Sequence, residues 1–226
     1  MRILAVIPAR GGSKGIPDKN IYPLMGKPLI EYTIECVLAS QCSMDIAVST
    51  DSSRIMKVAS KYSEVICIPR PAELASDTAS TESALTHALQ YMKNVYGKEY
   101  DAVMTLQATS PLRKPETIES FVARYEEIQN EYDAMLTLHE NRADHWICNE
   151  GNYERLYPEA PRRRQERKPL FIENSCIYIT SVESLLATNS VLGKHANGYV
   201  ISEEEGMDIN EPLDITIIDS IMKSTC

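Results

Sequence analysis

Apolar residues come in short, dense runs at positions 3–8, 46–50, 65–69 and 102–106, each followed by polar or turn-forming residues. Runs of this length, rich in Ile and Val, read as strands buried on both faces. Between them the spacing changes to that of a helix. Ile30, Ile34, Val37 and Leu38 share one face of the first such stretch; Ala84, Leu85, Ala88, Leu89 and Met92 share one face of the second. After Pro115 a third stripe holds Ile118, Phe121, Val122 and Tyr125. Proline suits a helix start because the N–H it lacks would have no partner there. Strand and helix patterns in alternation predict an α/β fold with a doubly wound, mostly parallel sheet. Ligands bind such sheets beyond the carboxyl ends of the strands. The segments after residues 8, 50, 69 and 106 are therefore the places to look for chemistry.

The rhythm breaks at residues 139–170, which hold the single tryptophan, Trp146, two histidines and an arginine run. This stretch reads as an excursion from the sheet, a lid or a dimer arm. Alternation resumes at 172–179, and Leu213, Ile217, Ile218 and Ile221 predict a closing amphipathic helix. The 226 residues are 43% hydrophobic and 24% charged, which suits one domain, residues 1–226, with the excursion inside it. No apolar run approaches the roughly 18 residues of a membrane span. The apolar stretch at 3–7 is too short for a secretory signal. A cytoplasmic location without membrane contact is the expectation. Cys36, Cys42, Cys67, Cys148, Cys176 and Cys226 form no CxxC, and their spacing suggests idle thiols rather than zinc or disulfides.

A net charge of −9 argues against nucleic acid as a partner. Positive charge nevertheless gathers in two places. Arg10, Lys14 and Lys19 lie in a segment that also holds Gly11, Gly12 and Gly15, directly after the first strand. Glycines there allow positive φ and close approach of a ligand, and exposed N–H groups make an anion-binding nest. The segment matches neither GxxxxGK[ST] nor GxGxxG. The second cluster is Arg162, Arg163, Arg164, Arg167 and Lys168. Such clustering in an acidic chain suggests a small polyanion as ligand.

Two further loops extend the pattern. In RPAELASDTAS (70–80), Arg70 ends a strand and Ser80 is placed to cap the next helix, whose N-terminus can receive an anion. In LQATSPLR (106–113), Gln107, Thr109 and Ser110 follow a buried strand. Late in the chain, GMDINEPLD (206–214) offers Asp208, a carboxylate able to hold Mg²⁺ against phosphates.

In order and spacing these segments resemble the acylneuraminate cytidylyltransferases over nearly the whole chain. ARGGSKGIPDKN is similar to the nucleotide-binding signature of that family, and RPAELASDTAS and LQATSPLR are similar to its second and third motifs. RRRQ with NSCIYI (162–165 and 174–179) is similar to its RQ…NGAIYI segment. The resemblance implies a Rossmann-like nucleotidyltransferase in which the anomeric hydroxyl of a nonulosonic acid attacks the α-phosphate of CTP and pyrophosphate leaves. It implies Arg10, Lys19 and Asp208 as catalytic residues. Ala9, Arg10, Gly11, Ser13, Lys14, Lys19, Asn20, Arg70, Ser80 and Thr81 would form the nucleotide site. Gln107, Thr109, Ser110, Arg164, Gln165, Asn174 and Tyr178 would face the sugar acid, with Arg164 reaching in from the partner of a homodimer. Asp208 and Asn210 would hold Mg²⁺.

Three departures stand out. The D-x-D pair of the family reads Asp208-Ile209-Asn210, its NGA reads Asn174-Ser175-Cys176, and Asp144-His145-Trp146 stands near the place of its His-Pro-Lys cluster. The last two fall on the sugar side and suggest legionaminic or pseudaminic acid at least as readily as N-acetylneuraminate. A Kdo cytidylyltransferase, a GTP-using enzyme and a non-catalytic nucleotide-binding scaffold are the alternatives.

Overall fold

The computed structural model describes every residue except Lys14 and Cys226, and of Thr225 the backbone alone. The N-terminal half runs β1 (Ile3–Pro8), a small hairpin β2 (Pro23–Leu24) and β3 (Lys27–Pro28), α1 (Leu29–Ala39), β4 (Asp45–Thr50), α2 (Ser53–Ala59), β5 (Val65–Pro69), α3 (Thr81–Tyr96) and β6 (Ala102–Leu106). The rest is α4 (Pro115–Ile128), β7 (Ala134–Asn141), β8 (Trp146–Asn149), β9 (Asn152–Arg155), β10 (Leu170–Ser181), α5 (Val182–Thr188), β11 (Ala196–Val200) and α6 (Pro212–Thr225). Seven strands form one sheet in the order β11-β7-β10-β6-β1-β4-β5. Strand β10 runs antiparallel to both neighbours, and the other pairings are parallel.

The apolar run of β1 serves two cores at once. Ile3, Ala5 and Ile7 point to the layer packed by residues of α1, α2 and α4, including Ile30, Ile34, Ile55 and Phe121. Leu4 and Val6 point to the opposite layer, with Leu85, Ala88 and Met92 of α3 and Leu185 of α5. Fully burying one such Ile or Leu is worth about 1.5–3 kcal/mol, and a strand with both faces covered has no use for a polar residue. The predicted strands and the three predicted helices all form. Pro115 opens α4, and Ser80 caps α3 by accepting the Ser83 N–H.

Two expectations need correction. Strand β7 was not marked by its pattern, although it and β10 are long partners in the sheet; residues 139–141 and residue 170 belong to these strands. The segment outside the sheet is thus 142–169, with the β8–β9 hairpin at its start. In α6, Leu213 and Ile217 are exposed, while Ile218 is buried beside Ile215 and Met222. The apolar residues spread over a broad face of this helix, so periodicity alone does not single out the part that packs inward. Its docking against the glycine-rich segment and α1, through Ile16, Leu24 and Leu29, makes the choice.

Candidate active site

Strands β4 and β5 continue outward from one side of β1, and β6 lies on the other side. The order reverses between β1 and β6, and there the loops after the two strands open a crevice. A cleft of about 480 Å³ occupies it. Its walls include Arg10, Ser13, Gly15, Lys19 and Asn20 from the first loop, and Arg70, Asp77, Ser80 and Thr81 from the second. Gln107, Thr109, Ser175, Asp208 and Asn210 complete them.

The glycine-rich loop is braced from below. The Asn20 side chain, buried, donates to the Arg10 carbonyl at 3.0 Å, and the Gly11 N–H donates to the Asp51 carboxylate at 2.8 Å. Gly11 thus spends its N–H inside the protein rather than on a ligand. Nor do Gly11, Gly12 and Gly15 take positive φ; Asp18 does, at 54°. What Gly15 provides is closeness, because a Cβ there would lie 2.7 Å from the Asn210 carbonyl oxygen. The loop is therefore pressed against the segment that carries Asp208.

Cations converge on this cleft at different depths. Arg70 is 9% exposed, and its guanidinium donates to the Ser49 hydroxyl and carbonyl at 3.0 and 2.6 Å, locking it to the end of β4. Burial lowers its pKa to about 10, so it stays charged at neutral pH. Arg10 is more exposed, bridging to the Ser76 carbonyl and Asp77 carboxylate, each at 2.9 Å. Lys19 donates to the Ile209 carbonyl at 2.6 Å and lies 3.4 Å from Asn210 Oδ1. Burial lowers the Lys19 pKa, partly offset by Asp208 and Asp214.

Asp208 faces this positive charge. Its Oδ2 accepts from the Asn210 amide at 2.8 Å, while Oδ1 is buried with no hydrogen-bond partner among the described residues. A buried carboxylate oxygen without a donor is costly unless an ion or ligand meets it. Asp214 holds the segment in place by accepting the N–H groups of Asn210 and Glu211, both at 2.8 Å, at the start of α6.

On the far wall Gln107 and Thr109 follow β6, and Ser175 belongs to β10. The register between β10 and β7 shifts between Glu173 and Tyr178, and Ser175 sits in this bulge with φ 59°. Behind both stands Arg113, a residue to which the sequence reading assigned no role. It is 4% exposed and donates to the carbonyls of Gln107 (2.8 Å) and Cys176 (2.7 Å) and to Thr33 (3.2 Å). One buried cation thus ties the β6 loop to the β10 bulge. Its signal was an arginine closing LQATSPLR just ahead of a helix, where the side chain can fold back.

Of the expected residues, Arg10, Ser13, Lys19, Asn20, Arg70, Ser80, Thr81, Gln107, Thr109, Asp208 and Asn210 meet around the cleft. Ala9 and Ser110 are fully buried and do not line it. Asn174 and Tyr178 are buried and do not line it either. Lys14 lies outside the described residues. Arg164 and Gln165 sit in the 142–169 segment, in a 3₁₀ turn outside the cleft. The structure brings Pro8, Gly15, Asp77, Ala79 and Ser175 to the cleft in addition.

Fold and cleft together define a nucleotidyltransferase-type α/β domain, with a glycine-rich loop at the switch point of a doubly wound sheet. The cytidylyltransferase family profile matches residues 4–199, and the chain belongs to that family. It is 34% identical to the CMP-N,N'-diacetyllegionaminic acid synthase of Legionella pneumophila, over 99% of this chain and 97% of that one. It is 30% identical to the N-acylneuraminate cytidylyltransferase of Escherichia coli over 98% of its own length, spanning about half (52%) of that longer protein. Among solved structures, CMP:2-keto-3-deoxy-manno-octonic acid synthetase complexed with CTP superposes with a TM-score of 0.69 over the full length of both chains, at 18% identity. That likeness is one of fold.

Proposed function

We propose that the protein transfers CMP from CTP to the anomeric hydroxyl of a nonulosonic acid, a sialic acid or a relative such as legionaminic or pseudaminic acid, and releases pyrophosphate. The observation that carries this reading is the meeting of Arg10, Lys19, Arg70 and Asp208 around one cleft at the switch point. The acceptor oxygen attacks the α-phosphorus, the bond to the β-phosphate oxygen breaks, and the acceptor proton passes to solvent. Such transfer is driven by positioning and charge neutralisation. Arg10 and Lys19 neutralise the triphosphate. Arg70, with Ser80 and Thr81 at the N-terminus of α3, serves the nucleotide on the β4–β5 side. Gln107, Thr109 and Ser175 form the acceptor side.

Magnesium fits this arrangement through Asp208, whose buried Oδ1 lacks a donor. Among the described residues no group of three or more His, Cys, Asp or Glu side chains could hold an ion alone. That suits Mg²⁺, which takes one or two protein carboxylates and completes its shell with phosphate oxygens and water. When bound, it would neutralise developing phosphate charge. Asn210 is a weaker ligand here, because its amide donates to Asp208 and its oxygen faces Lys19.

The acid substrate also needs a cation, and the 142–169 segment offers one. Asp144 gathers Arg155 (2.9 Å), Arg167 (3.3 Å) and Arg162 (3.6 Å) into a hub that folds the segment. Arg164 is left exposed, with no side-chain partner among the described residues. Trp146 and Tyr153 of the β8–β9 hairpin and Phe171 of β10 are 55%, 71% and 48% exposed. A twofold partner would bury these rings while Arg164 enters its cleft. The protein thus acts as a cytoplasmic homodimer with composite sites, without nucleic acid or membrane; no helix of the described residues is long and apolar enough to cross one.

Pyrophosphate release with CTP, Mg²⁺ and a panel of nonulosonic acids tests the reaction. Release must require one of the acids, and CTP must exceed GTP as donor. Failure with every acid overturns the assignment. Complementation tests the dimer. Mixed subunits of inactive Arg10→Ala and inactive Arg164→Ala protein regain up to about half the wild-type rate per heterodimer, because one site carries both lesions and the other neither. No recovery after demonstrated exchange means that Arg164 serves its own subunit or none.

A further inference from the structure

Ser175 is unusual in two ways that coincide. It lines the acceptor side of the cleft, and it holds φ 59°, a conformation that costs a non-glycine residue free energy. Glycine stands at this position in the motif that this segment resembles, so the conformation belongs to the loop and the hydroxyl to this chain. The surroundings hold the bulge rigidly. The buried Asn174 side chain accepts the Cys176 N–H at 3.1 Å and the Thr137 hydroxyl at 2.7 Å, and Arg113 holds the Cys176 carbonyl from behind.

The Ser175 hydroxyl is also oriented. It lies 3.0 Å from the Tyr178 hydroxyl, which in turn is hydrogen-bonded to the Glu173 carboxylate. A phenol has one proton, and a carboxylate is the stronger acceptor of the two. Tyr178 therefore commits its proton chiefly to Glu173, with the Ser175 oxygen as the second acceptor. Burial and the Glu173 carboxylate both raise the Tyr178 pKa, which keeps that proton in place. The Ser175 oxygen is held by this contact, and its own proton and a lone pair are left for the cleft.

The geometry points to Ser175 as a specificity-determining residue for the acceptor, presenting a positioned hydroxyl that selects a sugar acid with a polar substituent able to hydrogen-bond to it. Tyr178 and Glu173 are positioning residues that hold this hydroxyl at the wall of the cleft. The inference rests on the sugar-activating reading of the cleft. It explains why a strained serine sits where glycine would fit without strain: the hydroxyl does for the substrate what the backbone would do better without.

The test uses full-length protein, CTP and the nonulosonic acid with the highest wild-type turnover. A matched set of its deoxy and O- or N-methylated analogues is measured beside it, each with one hydrogen-bonding substituent removed or blocked. Wild type discriminates against one analogue by about 10-fold or more in kcat/KM, the effect of an unmet buried hydrogen bond. Ser175→Ala and Ser175→Gly raise the KM of the parent acid about 10-fold and abolish this preference, leaving the KM for CTP within about 2-fold. Ser175→Gly also raises the thermal midpoint, because the backbone strain is relieved. Tyr178→Phe blunts the preference while retaining turnover, since the serine hydroxyl is then no longer held in place. Wild-type turnover with unchanged analogue preference in both Ser175 variants overturns the inference alone. A rise in both KM values means a structural role and overturns it too. No wild-type turnover with any acid overturns the functional reading beneath it.

Discussion

Asp208→Asn lowers kcat by about 10²–10³-fold or more and leaves the fold intact. The substitution keeps shape and hydrogen-bonding capacity but removes the charge that faces Lys19 and the phosphate loop. Losing a preorganised charged group at a phosphoryl-transfer site has effects of this size. Folding does not suffer, because the Asp208 Oδ1 is buried without a partner and an uncompensated buried carboxylate costs stability rather than adding it. Rates are measured across a Mg²⁺ titration, with the unfolding midpoint as control. Asn210→Asp retains activity and lowers the Mg²⁺ concentration needed for half-maximal rate, since it adds a second negative oxygen beside the first. Full activity of Asp208→Asn at low Mg²⁺ places the metal elsewhere.

Lys19→Ala also costs about 10²–10³-fold in kcat/KM for CTP, and its pH behaviour separates charge from packing. In the free protein burial lowers the Lys19 pKa below the ordinary 10.5, with Asp208 and Asp214 opposing. Between the folded value and 10.5 the native state therefore binds fewer protons than the unfolded chain, and Lys19 makes stability rise with pH across that window. Lys19→Ala removes this slope. The active form is the protonated one, so kcat/KM for CTP falls on an alkaline limb below pH 10.5. In kcat the same limb lies at higher pH, because bound triphosphate favours the ammonium. A limb that stays unchanged in Lys19→Arg belongs to another group.

Much of this could be read along the chain. The runs at 3–8, 46–50, 65–69 and 102–106 need only be apolar on both sides to be recognised as central strands, and they match β1, β4, β5 and β6 to within a residue. The first loop, Arg70 with Ser80, and Gln107 stood out because short polar segments follow those strands; Asp208 follows none of them and takes its expected role from the family resemblance. Strands β7 and β11 were missed. β11 is exposed or half-exposed along its length and includes Gly198, and its parallel pairing to β7 is a long-range contact that leaves no local period.

Local pattern thus determined the class of fold, the four loops and the residue types at the cleft, because each depends on a few neighbouring positions. Tertiary structure alone decided which polar groups face the ligand. The Gly11 N–H goes to Asp51, Ser110 and Tyr178 turn inward, and the inner face of α6 is set by the loop against which it docks. It also decided the bulge that brings Ser175 to the cleft and the buried Arg113 that ties it to Gln107. Several of those outcomes rest on distant partners: Asp51 lies 40 residues from Gly11, and Cys176 lies 63 from Arg113. A buried donor or acceptor must find its mate wherever the fold supplies one, and that position is a property of the packed sheet, not of any stretch of sequence.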